Sequence, residues 1–236
     1  MTDSLDELRR DLIAAGRILA AKGVLDAFGH VSVRHPANAE RFLMTRARAP
    51  ALATQEDILE FDLDSRPIAA DAPRAFAERV IHGCVYRARP DVLAVCHHHA
   101  PAILPYCVTG VPLVPVVHLG ATMGPAVPFW DSRDEFGDTN LLVKSQAEGQ
   151  SLARALGPNW LVLMRRHGAA SCGRSLPELV FRTVYGAANA EIQTKAMALG
   201  RIDPLTEGER AGSEALNLSP LALDRAWELW NQQIAL

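Results

Sequence analysis

Two short apolar runs, Val92–His97 and Trp160–Arg165, constrain this chain more than any other feature. Each is rich in residues that favour extended backbone and too short for a buried helix, so each reads as a strand inside a sheet. Helical periodicity precedes and follows them. Residues 74 to 88 lead into the first run, Ser145–Leu156 leads into the second, and Leu176–Leu199 comes after it before stopping at Gly200. Interleaved helices and strands, with no repeat and no break in composition, predict one α/β domain over residues 1–236.

The remaining elements fit around this frame. Residues 4 to 22 carry an apolar stripe (Leu5, Leu8, Leu12, Leu19), with Ser4 and Glu7 in a capping-box pattern and Gly23 as a stop. His30–Arg34, Arg41–Thr45 and Ile58–Leu63 read as strands between turn signals. Ala169–Cys172 is expected to return beside the Trp160–Arg165 strand. Pro112–Pro128 reads as loop with brief strands. Arg201–Leu218 reads as a polar linker to a last helix from about Pro220 to Gln233, making 201–236 a C-terminal extension.

The first strand ends in Val95-Cys96-His97-His98-His99. In extended chain, residues i and i+2 share a face, so His97 and His99 reach one point while His98 faces away. His167 follows the second strand and precedes Gly168. If the strands are neighbours, three imidazoles converge and leave open coordination positions, the pattern of a catalytic metal site. The alternative is a set of satisfied polar residues at strand ends. Glu78 lies in the helix before the His97 strand, four residues from His82. Beside such a metal it serves as fourth ligand, acid or base; otherwise it is a solvated glutamate at a helix start.

Charge and cysteine usage narrow the class. A net charge of -3 without blocks of like charge gives no footprint for nucleic acid. No run is long enough to span a bilayer, and the N-terminus lacks signal-peptide features, so a cytoplasmic protein is expected. Cys84, Cys96, Cys107 and Cys172 form no C-x-x-C pair and read as small buried hydrophobes.

Several motifs, in order and at matching spacing, resemble the class II aldolase/adducin family. They are Gly29-His30-Val31-Ser32-Val33-Arg34, Glu78 with His82 and Tyr86, Arg87-Ala88-Arg89-Pro90-Asp91-Val92, His97-x-His99 and Arg166-His167-Gly168. The likeness runs over roughly residues 8 to 200. It implies a three-layer α/β/α fold with a central, mainly antiparallel sheet, and a homotetramer with sites near subunit interfaces. It also implies His97, His99 and His167 as ligands of a divalent metal (Mn, Zn, Fe or Co) and Glu78 as the catalytic carboxylate.

The departures from the pattern point to substrate. Sugar-phosphate aldolases of the family hold phosphate with Gly-Asn, Thr-Gly and Ser-Ser pairs; here those places read Gly29-His30, Thr45-Arg46 and Phe76-Ala77. Small donors that cradle a phosphate have given way to an imidazole, a guanidinium and a ring. Arg46 suits a carboxylate, and Phe76 suits a flat ring. The Gly29-His30 pair and Glu78-Arg79-Val80-Ile81-His82-Gly83 resemble a decarboxylase branch acting on hydroxylated aromatic dicarboxylates. The resemblance implies 3,4-dihydroxyphthalate or 3-hydroxy-2-methylpyridine-4,5-dicarboxylate as substrate, with His30, Arg46, Phe76 and His118 expected to bind it. Arg165 and Arg166 are further candidates. Two rivals remain: an aldolase cleaving an unphosphorylated hydroxy-keto acid, and a non-catalytic adducin-like module.

Overall fold

The computed structural model describes Thr2–Ala235, with side chains from Leu5 to Ile234. The chain runs α1 (Thr2–Ala21), β1 (His30–Arg34), β2 (Arg41–Thr45), β3 (Ile58–Asp62), α2 (Val80–Ala88), β4 (Ala94–His98), α3 (Leu104–Thr109) and β5 (Phe129–Trp130). It continues through α4 (Arg133–Phe136), α5 (Gln146–Leu156), β6 (Leu161–Met164), β7 (Gly168–Gly173), α6 (Leu176–Leu199), α7 (Glu207–Asn217) and α8 (Pro220–Ala235).

The strands form one sheet in the order β3-β2-β1-β4-β7-β6-β5. Every pairing is antiparallel except β5 with β6. The expected α/β/α layering follows from alternation along the central strands. On β4, Ala94 and Cys96 face a core that includes Leu12, Ile18 and Leu19 of α1 and Leu179, Val180 and Phe181 of α6. Val95 faces the opposite core, with Ile81 and Val85 of α2 and Leu152 and Leu156 of α5. Strands buried on both sides are apolar throughout, which is why Val92–His97 and Trp160–Arg165 stood out.

Three expectations need correction. Residues 74 to 76 are not helical: a 3-10 turn at Ala77–Arg79 precedes α2, and Glu78 sits in it at φ -90°, ψ 16°. Pro112–Pro128 holds a 3-10 stretch, His118–Met123, rather than strands. Arg201–Leu218 is not a plain linker. Thr206 caps α7 in a capping box with Glu209, and Glu214 bonds the buried Arg182. Polar composition there hid a helix whose anchor is an ion pair instead of apolar burial. Helix α8 docks through Trp230, whose ring lies 6.1 Å from Phe181. The cap expected of Ser4 lies outside the described side chains, and α1 begins at Thr2.

Candidate metal centre

Strands β4 and β7 are neighbours, with His97 opposite Ala170 and His98 opposite Ala169. This is the condition under which the sequence brings three histidines together, and it is met at one end of the central strands. His97 is fully buried; its Nδ1 lies 3.1 Å from the Ala169 carbonyl, which can only accept. Nδ1 therefore carries a proton, and Nε2 is the nitrogen that faces Glu78 and His99. His99 follows the strand on the same side, its Nε2 3.1 Å from His97 Nε2. His98 takes the other side and meets Ser171 Oγ at 3.0 Å.

His167 is delivered by the tight turn between β6 and β7. Arg166, just before it, holds φ +53°, a left-handed backbone rare outside glycine. The turn is fixed by Arg166 N–H donating to the Cys107 carbonyl and His167 N–H donating to Met164. Gly168 is required by close approach. A Cβ there would lie 2.3 Å from the His98 carbonyl oxygen and 2.8 Å from the His99 ring. Gly29 is held likewise, at φ +84°, with the His97 carbonyl oxygen 2.9 Å from where its Cβ would stand. The Gly29-His30 and His167-Gly168 pairs thus keep β1 and β7 tight against β4.

Glu78 completes the cluster from the α2 side. Its Oε2 lies 3.5 Å from His97 Nε2 and 3.6 Å from His167 Nε2, while the Val143 N–H donates to its Oε1. The ligand atoms of Glu78, His97, His99 and His167 all lie within 4.8 Å of one another. Burial alone would raise the Glu78 carboxyl, but the hydrogen bonds and positive charge offered by His167 and His97 outweigh it and hold it well below the usual range. Burial, then the neighbouring His97 and His167, pushes His99 down to about 4, so its ring is neutral at pH 7.

This donor set fits a divalent cation. Bonds of about 2.1 Å at tetrahedral angles put ligand atoms roughly 3.4 Å apart. The observed spacings of 3.1, 3.5 and 3.6 Å fall around that value. Four buried or half-buried donor atoms converging on one point are well placed for a cation. His167 Nδ1 is buried without a partner, so its only favourable contacts lie on the cluster side.

A second group of side chains backs the cluster. The His30 ring lies 4.6 Å from Phe76 and 5.3 Å from His97. His30 Nδ1 is 2.7 Å from His82 Nε2, His82 Nδ1 is 2.6 Å from Ser32 Oγ, and Ser32 Oγ is 2.7 Å from Tyr86 Oη. All four side chains are buried, and burial holds His30 and His82 well below the ordinary imidazole range. The sequence shows His82 as a helical neighbour of Glu78 and as a motif residue without a stated role; the 3-10 turn breaks the helical spacing, and His82 reaches His30 instead.

The other expected substrate contacts are divided. Continuing the β1–β2 register by two residues places Arg46 opposite His30. Arg46 Nε donates to Asp57 Oδ1 at 2.5 Å and Arg48 Nη1 to Asp57 Oδ2 at 2.9 Å, so one buried carboxylate holds two guanidiniums. Nothing in the spacing of Arg46, Arg48 and Asp57 announced this. His118 is exposed at the start of its 3-10 stretch, and among the described residues no hydrogen bond or ring contact joins its side chain to the cluster. Arg165 is taken by Asp131 at 3.2 Å. The cysteines are buried and unpaired, and burial pushes Cys172 up to about 12 and Cys84 and Cys107 to about 11.

The sheet order, the three-histidine end of the central strands and the carboxylate before α2 define a class II aldolase-type site. Residues 10–194 match the model of the class II aldolase and adducin N-terminal domain, and the chain belongs to this family. It is 34% identical over 247 residues to the decarboxylase TropJ of Talaromyces stipitatus, covering 95% of this chain and 93% of that one. It is 30% identical over 201 residues to the 3,4-dihydroxyphthalate decarboxylase of a Terrabacter species, covering 81% of this chain and 82% of the relative. Among solved structures, the L-fuculose 1-phosphate aldolase of Glaciozyma antarctica superposes with a TM-score of 0.79 at 24% identity, covering 96% of this chain and 88% of the other. The family and these relatives make the chain a carbon–carbon lyase of the carboxy-lyase class. No helix among the described residues is long and apolar enough to cross a membrane.

Proposed function

We propose that this enzyme decarboxylates a hydroxylated aromatic vicinal dicarboxylate, such as 3,4-dihydroxyphthalate or 3-hydroxy-2-methylpyridine-4,5-dicarboxylate. The observation that carries the reading is the wall of His30 and Phe76 beside the four-donor cluster. A flat ring packs on such a wall, and small phosphate-binding donors are absent from these positions. The 3,4-dihydroxyphthalate decarboxylase relatives support the same class of substrate.

His97, His99 and His167 would hold the metal, with Glu78 at its side. What a divalent ion (Mn, Zn, Fe or Co) supplies when bound is Lewis acidity towards substrate oxygens and a template for them. The residues of the chain do the rest. Losing CO₂ straight from an aromatic carbon would strand an electron pair in the ring plane, so that carbon is protonated first. Glu78, ionised because its carboxyl is held low, takes the proton of the neighbouring hydroxyl and hands it to the carbon bearing the leaving carboxylate. A carboxyl held low is a strong acid once protonated, which suits a relay more than a stored proton. The ring is now a β-keto acid. Its carbon–carboxylate bond breaks, the electron pair returns to the ring oxygen, and CO₂ leaves; solvent then reprotonates the oxygen. His30 and Arg46 hold the spectator carboxylate, and Phe76 lines the ring. The homotetramer and cytoplasmic location expected from the sequence belong to the same proposal, and sedimentation tests the first.

The test is a panel of hydroxy-aromatic dicarboxylates assayed for CO₂ with each metal in turn, alongside a hydroxy-keto acid assayed for pyruvate-type products. CO₂ from an aromatic acid is expected, falling about 100-fold or more in Glu78→Gln. Pyruvate-type product without CO₂ would replace this reading with the aldolase.

A further inference from the structure

The buried run His30–His82–Ser32–Tyr86 has a direction. We propose that it fixes His30 as a hydrogen-bond donor to the substrate's spectator carboxylate, with His82 and Ser32 as positioning residues. The choice of acceptor rests on the decarboxylase reading; the direction of the run does not.

The direction follows from counting protons. The run is four groups joined by three contacts of 2.7, 2.6 and 2.7 Å. Each contact needs one donor and one acceptor, and a phenol or a hydroxyl has a single proton to give. In one arrangement Tyr86 donates to Ser32, Ser32 to His82 Nδ1, and His82 Nε2–H to His30 Nδ1. His30 then carries its proton on Nε2. In the reverse arrangement His30 Nδ1–H donates to His82, His82 to Ser32, and Ser32 to Tyr86. The phenol proton is then left over. Tyr86 is 1% exposed, and among the described residues its oxygen meets no acceptor besides Ser32. A buried donor without an acceptor is the costliest fault such a network can have. The first arrangement satisfies every group and is the one the fold selects.

The free end of the run lies beside the cluster. His30 Nε2 makes no hydrogen bond among the described residues, and its ring stands 4.6 Å from Phe76 and 5.3 Å from His97. A carboxylate only accepts, so it requires Nε2–H and is repelled by a lone pair. A hydroxyl both donates and accepts and takes either tautomer. The run, anchored well behind the site, thereby admits a carboxylate that the other tautomer would repel.

The experiment uses the full chain loaded with Zn(II), which is diamagnetic, and reads the His30 ring by proton–nitrogen correlation NMR. His30→Gln assigns the signal. The expected proton is on Nε2, with Nδ1 as acceptor. Tyr86→Phe keeps the ring and its packing but removes the proton that sets the direction, so both tautomers are expected. Ser32→Ala is expected to weaken binding of phthalate, an unreactive dicarboxylate, about tenfold, and to raise KM with kcat within about twofold at unchanged zinc content. A merely structural role would move neither the tautomer nor KM alone. An Nδ1 proton on His30, in protein that still releases CO₂ from dihydroxyphthalate, overturns the direction and leaves the decarboxylase reading standing. Nε2–H in a protein that binds no phthalate overturns the carboxylate as acceptor.

Discussion

Gly168→Ala is the smallest change that tests whether the histidines are placed by backbone contact between β4 and β7. The added methyl carbon would stand 2.3 Å from the His98 carbonyl oxygen and 2.8 Å from His99 Cδ2. The first neighbour is backbone inside the sheet and cannot turn away, so the strands part or the methyl leans on the His99 ring. Overpacking of this kind costs about 1–3 kcal/mol of stability. Moving one ligand of a preset cluster costs more at the metal than in the fold, roughly 10- to 100-fold in affinity by comparison with lost orienting contacts. Zinc affinity by chelator competition and thermal unfolding of the metal-free protein separate the two effects. Gly212→Ala is the control: it lies within α7, nothing stands within 4 Å of its added carbon, and alanine there favours the helix by up to about 1 kcal/mol. A Gly168→Ala protein with unaltered zinc affinity and stability would refute the idea that this approach positions His99.

Two further predictions follow from neighbouring contacts. His99→Ala is expected to lose bound metal and CO₂ release together, whereas His98→Gln, on the other face of β4 against Ser171, keeps metal stoichiometry; equal metal content in the two, by elemental analysis, would remove His99 from the ligand set. For Asp57, burial would raise the carboxyl, but the Thr54 amide and hydroxyl and the Arg46 guanidinium outweigh it and bring it down to about 2. The folded-state value lies below the unfolded one near 3.8, so this stability is complete above about pH 4 and is lost as pH falls towards 2. Asp57→Asn should flatten the acid limb of the stability profile in that window, read by denaturant melts, and should raise KM by freeing Arg46; an unchanged acid limb would contradict the assignment.

What could be read from the sequence divides by range. The central strands were legible because burial on both faces leaves no polar alternation, and the His97-x-His99 pair because strand periodicity alone puts both on one side. Helix α7 was not legible, since its hold on the body is the Arg182–Glu214 pair rather than an apolar stripe. The 3-10 turn that carries Glu78 was taken for helix because its residues have ordinary helix preferences; the Val143 amide, 65 residues on, helps to fix the carboxylate there. The link from His82 to His30 joins side chains 52 residues apart, and the Arg46–Asp57–Arg48 fork closes across the connection between β2 and β3; no helix or strand period encodes either.

The same division explains how one fold serves both aldol cleavage and decarboxylation. The three-histidine part of the cluster is set by local spacing plus one strand pairing, β4 with β7. Its neighbours come from β1, the residue after β2 and the residue before the 3-10 turn that leads into α2. At those places this chain carries His30, Arg46 and Phe76, and each is braced by a partner that makes no contact with the cluster's ligand atoms: Tyr86 through Ser32 and His82, Asp57, and the core face of α2 and α5. A single substitution at such a position would therefore not convert one activity into the other. Replacing His30 with asparagine keeps a donor but shortens its reach and takes the ring nitrogen away from His82 Nε2, so the brace would have to change with it.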